Sequence, residues 1–248
     1  MKKLISLLLA LVMALSLVAC GSKDGKKNDE SVELPVFAAA SLTESLTAIG
    51  DKYMAENKNV KIRFNSDSSG KLLTQIEEGA ICDLFISVAP KQMNALDGSL
   101  KDNSEKNPKG QDLLVAGSRI DLLENKVALA VAEGNPKGID SFDKLADLLK
   151  DETAIADKLT YGSNVKEVTT AVAEGTVDCG IIYASDAYSA KLTVAAEATA
   201  DMCGQVIYPA AVLNTSTQQD AAAAFLQYLQ GAEASSEFEK VLFTPLSK

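Results

Sequence analysis

The chain has 248 residues, with 24 basic and 34 acidic side chains, a net charge of −10 and no histidine. The acidic balance argues against nucleic acid as a partner. The missing histidine excludes Ser-His-Asp and Cys-His catalysis.

Residues 1–19 start with Lys2-Lys3, continue through an apolar run from Leu4 to Leu17 and end at Ala19 before Cys20. The run is shorter than the roughly 20 residues of a membrane span, and the basic start is that of an export signal. Leu17-Val18-Ala19-Cys20 looks like a bacterial lipobox, with Cys20 the site of lipid attachment; an ordinary signal or a chance cysteine is the alternative. Removing the leader takes away two lysines and lowers the charge of −10 by two, to −12. Residues 20–33 are polar and lack aromatic residues, so they read as a flexible tether reaching on the order of 20 Å. This places the protein on the extracytoplasmic face of the cell membrane, held by its lipid.

Leu34–Phe37 is a short apolar strand. Ser41-Leu42-Thr43-Glu44 is a capping-box pattern, and Leu42, Leu46, Ile49 and Tyr53 recur at helical spacing behind it. Val60–Phe64 alternates as a strand. Asn65-Ser66-Asp67-Ser68-Ser69-Gly70 then turns into a second helix that ends at Gly79. Asp83–Val88 is a buried strand, Gln92–Leu100 a helix and Gln111–Val115 an extended stretch.

Lys126–Ala132 is a strand, Ser141–Lys150 a helix, Lys158–Tyr161 a strand, and Asn164–Glu174 a helix capped by Asn164 and closed by Gly175. Cys179–Tyr183 is a strand that runs into Ala184-Ser185-Asp186-Ala187. An alanine-rich stretch separates it from an extended segment, Gln205–Val212, and two helices follow at Thr217–Gln230 and Glu233–Leu242. Alternating strands and helices of this kind predict an α/β fold with a sheet covered on both faces.

Cys82, Cys179 and Cys203 show no Cys-x-x-Cys spacing and no histidine completes a metal set, which argues against a zinc site. An odd number leaves at least one thiol free; a Cys82–Cys179 or Cys179–Cys203 bridge stays open for an exported protein. Ser69-Gly70-Lys71 fails as a phosphate loop, because Asn65 stands for its first glycine and Leu72 for the magnesium-binding hydroxyl. A serine–lysine hydrolase through Ser68 and Lys71 is the enzyme alternative to a protein that only binds.

Four segments carry a family resemblance. Phe37-Ala38-Ala39-Ala40-Ser41-Leu42, Ser68-Ser69-Gly70-Lys71-Leu72, Gly79–Ser87 and Gly180–Ala187 resemble the molybdate-binding proteins of ABC importers, in the same order and behind a lipoprotein signal. The resemblance covers Leu34 to Phe243. It implies a two-lobe, type II-like periplasmic binding protein with two crossing strands, near Gly117–Asn125 and Tyr208-Pro209. Lobe I would then be residues 34–118 and 208–248, and lobe II residues 119–207.

It also implies a monomer that is no enzyme and holds no cofactor or metal cation, and that delivers molybdate or tungstate to an ABC permease. Ser41 and Ser69 would donate hydroxyls and N–H groups, Val165 a backbone N–H and Tyr183 its phenol. Each residue has a purely structural alternative: Ser41 a helix cap, Ser69 a turn residue with Ser68 as rival donor, Val165 a first helical turn, Tyr183 a core aromatic. The chain departs from the family between Lys150 and Leu159, where only Asp151–Lys158 stands in place of a strand-turn-helix unit. Lobe II is therefore expected to be shortened. A surface lipoprotein of the same fold that has lost or changed its ligand is the alternative function.

Overall fold

A computed structural model describes residues 31–149 and 155–246, without the side chains of 155 and 156. The expected leader, Cys20, the tether up to residue 30, Lys150 and Asp151–Ala154 lie outside these residues.

Two sheets organise the chain. The larger has six strands in the order β2-β1-β3-β8-β4-β9. They are β1 (Val32–Ala39), β2 (Val60–Asp67), β3 (Leu84–Ile86), β4 (Ile120–Asn125), β8 (Val206–Val212) and β9 (Thr244–Pro245). The smaller sheet is β6-β5-β7, from β5 (Val127–Val131), β6 (Cys179–Tyr183) and β7 (Thr193–Glu197).

The first half of the larger sheet is parallel, β1 running from Val32 opposite Val60 to Ala39 opposite Asp67. Strand β1 is buried on both faces, as a central strand of a covered sheet must be. Leu34, Val36 and Ala38 pack beneath α1 (Thr43–Glu56), through Leu46, Ile49 and Tyr53. Phe37 points the other way, onto Leu72 and Ile76 of α2 (Ser69–Glu77), with Phe85, and Met93 of α3 (Pro90–Asn94).

Strands β4 and β8 pair antiparallel, with Leu123 opposite Tyr208, at the segments expected to cross. The chain enters the smaller sheet at Lys126, immediately after β4, and leaves it between Glu197 and Val206. One face of that sheet is covered by α6 (Val165–Ala173) and α7 (Ala184–Ser189), through Val172 and Ala187. The other meets α4 (Phe142–Leu148), through Phe142 and Leu145. Gly180 lets α6 lie close on β6, since a Cβ there would meet Val172 Cγ2 at 2.7 Å.

The remaining helices are α5 (Ile155–Lys158) and α8 (Ala200–Cys203), each a single turn, and α9 (Gln219–Leu229) and α10 (Ala232–Lys240). Phe225 of α9 and Phe238 of α10 complete the core under β1.

Several expectations are corrected. The strand expected at Lys158–Tyr161 does not form: Lys158 closes α5, and Tyr161 is 86 % exposed, so its apolar alternation meets no core surface. The alanine-rich stretch contains β7, because pairing with β5, Ala196 opposite Leu129, outweighs alanine's weak strand preference. Strand β1 starts at Val32, inside the expected tether, because Val32 pairs with Val60. The expected Gln92–Leu100 helix is two pieces, α3 and a 3₁₀ turn at Gly98–Leu100. Cys82, Cys179 and Cys203 are free thiols.

Candidate functional site

Parallel strands deliver their following turns to one edge of a sheet, where such folds bind ligands. Here Ala39 and Asp67, the last residues of β1 and β2, are register partners. Ser41 and Ser69 therefore emerge side by side, and the loop after β3 joins them: Val88 N–H donates to Ser69 Oγ at 2.9 Å.

Ser41 lies in a 3₁₀ turn, Ala40–Leu42, and is 4 % exposed. It is no helix cap, contrary to the capping-box reading. The residue preceding α1 is Leu42, without a side-chain cap, and Ser41 Oγ instead meets Tyr208 Oη at 2.9 Å. The cap before α2 is Ser68, whose Oγ accepts from Lys71 N–H at 3.5 Å. Ser69 is thereby released from capping; it is buried and turned toward Val88.

Val165 opens α6. The Asn164 side chain caps this helix, accepting from Lys166 N–H at 2.9 Å and Glu167 N–H at 3.2 Å. That leaves the Val165 N–H outside the cap, at the positive end of the helix. Glu167 does not close the expected box on Asn164; it reaches one residue further back and accepts from Ser163 N–H at 2.7 Å. Helix α6 packs against the Ala40–Leu42 turn and against α7, so Val165 and Ser41 belong to facing segments.

Tyr183 ends β6 and sets its ring edge-on to Tyr208, centroids 6.1 Å apart. Burial, with Asp186 and Cys203 adding to it, pushes its phenol up to about 12, so it is a proton donor at neutral pH. Ser41 and Tyr183 thus share Tyr208 as a neighbour, while Ser69 and Val165 are linked through the residues beside them. Asn164 Nδ2 donates to Asp67 Oδ1 at 3.3 Å, and Lys71 Nζ to Ser163 Oγ at 3.0 Å.

Charge surrounds these donors. Lys166 Nζ contacts Glu44 at 2.7 Å and Asp186 Oδ1 at 2.9 Å. Asp186 is 0 % exposed, and no donor among the described residues gives it a well-directed hydrogen bond; the Lys166 contact is a charge contact. Burial pushes the Asp186 carboxyl up against the opposing pull of Lys166. Burial alone would lower the Lys166 pKa, but Glu44 and Asp186 outweigh it and hold it above the ordinary lysine value. Among the described residues no group of three or more His, Cys, Asp or Glu could hold a metal ion.

Tyr208, Asn125, Ser185, Lys166 and Asp186 were not singled out from the sequence. Asn125 Nδ2 donates to Ser185 Oγ at 2.8 Å and to Tyr208 Oη at 3.3 Å, a buried polar chain behind Ser41. Its sequence signal is slight: a polar residue at the end of an apolar strand.

Comparison with known proteins agrees with this architecture. A family model described as bacterial extracellular solute-binding protein matches residues 34–156 and 148–241. The two segments meet in the interval where a unit was expected to be absent. The Bacillus subtilis protein YvgL, provisionally named an ABC transporter substrate-binding lipoprotein, is 34 % identical over 98 % of this chain and 99 % of its own. The Escherichia coli molybdate-binding protein ModA is 32 % identical over 86 % of this chain and 89 % of its own. The solved substrate-binding domain of a protein assigned to a molybdenum ABC transporter of Clostridium difficile superposes with a TM-score of 0.61 at 30 % identity, over 86 % of this chain and 99 % of that one. The two sheets are those of a two-lobe periplasmic binding protein fold.

Proposed function

Since the chain belongs to the bacterial extracellular solute-binding protein family, we propose that it is the substrate-binding lipoprotein of an ABC importer and captures molybdate or tungstate between its lobes. It is a binding protein and not an enzyme. The carrying observation is the convergence of two buried serines at the ends of β1 and β2 with the N-terminus of α6.

The hydroxyls and N–H groups of Ser41 and Ser69, the Val165 N–H and the Tyr183 phenol make about six neutral donors. At about 1.5–3 kcal/mol each toward a charged ligand, the gross gain is about 9–18 kcal/mol. Association costs bring that to a micromolar to nanomolar dissociation constant. Lys71 and Lys166 stay engaged with Ser163, Glu44 and Asp186. Cavity size and full desolvation, rather than a free cation, then select the oxyanion.

The lobes expected at 34–118 with 208–248, and 119–207, shift at their boundaries, because β4 and β8 are strands of the larger sheet and go with the first lobe. Because β4 pairs within the larger sheet, the hinge falls at its end, at Lys126. Lobe closure is the signal read by the permease. Cys20 carries the lipid and the residues from there up to β1 the tether, which ends before Val32; Cys20→Ala should release the protein from the membrane fraction, and retention there would remove the anchor.

Calorimetric titration with molybdate, tungstate and sulfate tests the ligand. One-to-one heat with molybdate or tungstate and none with sulfate is expected; silence with all three would overturn it. The family match in two segments, together with a smaller sheet of three strands, favours a second reading, the same fold with a lost or changed ligand. Heat from a different solute, after silence with these oxyanions, would establish that reading.

A further inference from the structure

We propose that Tyr208 and Asn125 are positioning residues that turn the Ser41 hydroxyl proton toward the bound anion, an inference that rests on the oxyanion reading above. The direction of each hydrogen bond follows from what each atom can do. Asn125 Oδ1 accepts from Lys126 N–H at 2.8 Å, which sets the orientation of the amide. Its Nδ2, lacking a lone pair, can only donate, to Ser185 Oγ and to Tyr208 Oη.

Tyr208 is 0 % exposed, so its single proton needs a protein acceptor. Beside its oxygen stand Asn125 Nδ2, which cannot accept, and Ser41 Oγ at 2.9 Å, which can. Tyr208 therefore donates to Ser41. Burial keeps the phenol protonated, holding its pKa well above the ordinary tyrosine value. Ser41, supplied with a donor from behind, keeps its own proton for the ligand. Ser69 is set the same way, with the Val88 N–H as its rear donor. The reverse polarity, Ser41 donating to Tyr208, would bury the phenol proton without an acceptor and aim serine lone pairs at a dianion.

A double-mutant cycle separates this role from simple packing. Molybdate is titrated into the wild type, Tyr208→Phe, Ser41→Ala and the double variant, with thermal unfolding to confirm folding. Tyr208→Phe should weaken binding about fivefold in the wild type and change it less than about twofold in the Ser41→Ala background. Equal losses in both backgrounds, or no loss in the wild type, would overturn the inference while leaving the oxyanion reading intact. A wild type that binds no oxyanion removes both, and does so before any variant is compared.

Asn125→Asp provides a second cycle if Tyr208→Phe does not fold. Its carboxylate accepts the Tyr208 proton and reverses the chain. The added charge repels the dianion in both backgrounds, so the reversal is read as the further loss, about tenfold, that appears only when Ser41 is present. An Asn125→Asp loss that persists undiminished without Ser41 would also overturn the assignment.

Discussion

Lys166 Nζ donates to both carboxylate oxygens of Glu44 at 2.7 Å, tying the first turn of α6 to the first turn of α1. Two helix N-termini facing one another bring like partial charges together. Glu44 offsets that on one side and Asp186 on the other, so the cation holds elements of the two sheets in register.

The two carboxylates differ in what they lose without Lys166. The Asp186 side chain is 0 % exposed and that of Glu44 48 %. Lys166→Met should cost about 3 kcal/mol in urea unfolding by stranding the buried Asp186, and adding Asp186→Asn should recover most of it. Glu44→Gln should cost less than about 1 kcal/mol, as an exposed pair does. In Lys166→Met the Asp186 carboxyl has a folded-state pKa above its unfolded value, so that variant should gain stability on acidification; a flat pH response would contradict the assignment.

Ser41→Ala should weaken molybdate tenfold or more, since about 1.5–3 kcal/mol rides on a donor to a charged ligand. Ser68→Ala removes only the cap of α2 and should leave affinity within about twofold while costing ~1 kcal/mol of stability. Affinity that responds to Ser68 and not to Ser69 would reverse their roles.

Asp67 receives bonds from both directions. Burial pushes its carboxyl up, but the Ser68 N–H, the Asn164 amide and Lys71 outweigh burial and hold it below the ordinary value of 3.8. A carboxyl with a depressed folded-state pKa contributes stability above its unfolded pKa and loses it as the pH falls through the folded one. Asp67→Asn should therefore flatten the acid limb of the stability curve below about pH 4, measured as urea midpoints. An unchanged limb would show that the Ser68, Asn164 and Lys71 contacts together carry no net free energy for the ionised carboxyl.

The three thiols should separate by reactivity. Cys203 is exposed, whereas burial pushes Cys82 up to about 12 and raises Cys179 by a smaller amount. Native alkylation mapped by mass spectrometry should label Cys203 first and Cys82 last. Early labelling of Cys82 would mean that the core against Phe37 and Phe85 opens readily.

The local pattern around the site is legible in the residues alone. Strands followed by serine turns and helices are written in apolar periodicity and end signals that act within four residues; β6 runs from Cys179 to Tyr183 as read, and α6 lies between its Asn164 cap and Gly175. The remainder depends on long-range packing. Leu159–Tyr161 alternates like a strand yet finds no sheet, while alanine-rich β7 becomes one because β5 lies beside it. Ser41 has the spacing of a cap, but its partner is Tyr208, 167 residues away, brought there by the pairing of β8 with β3 and β4. A hydroxyl or a carboxylate has no intrinsic partner. Its role depends on which distant donor the sheet register places within about 3 Å, and no local spacing encodes that distance.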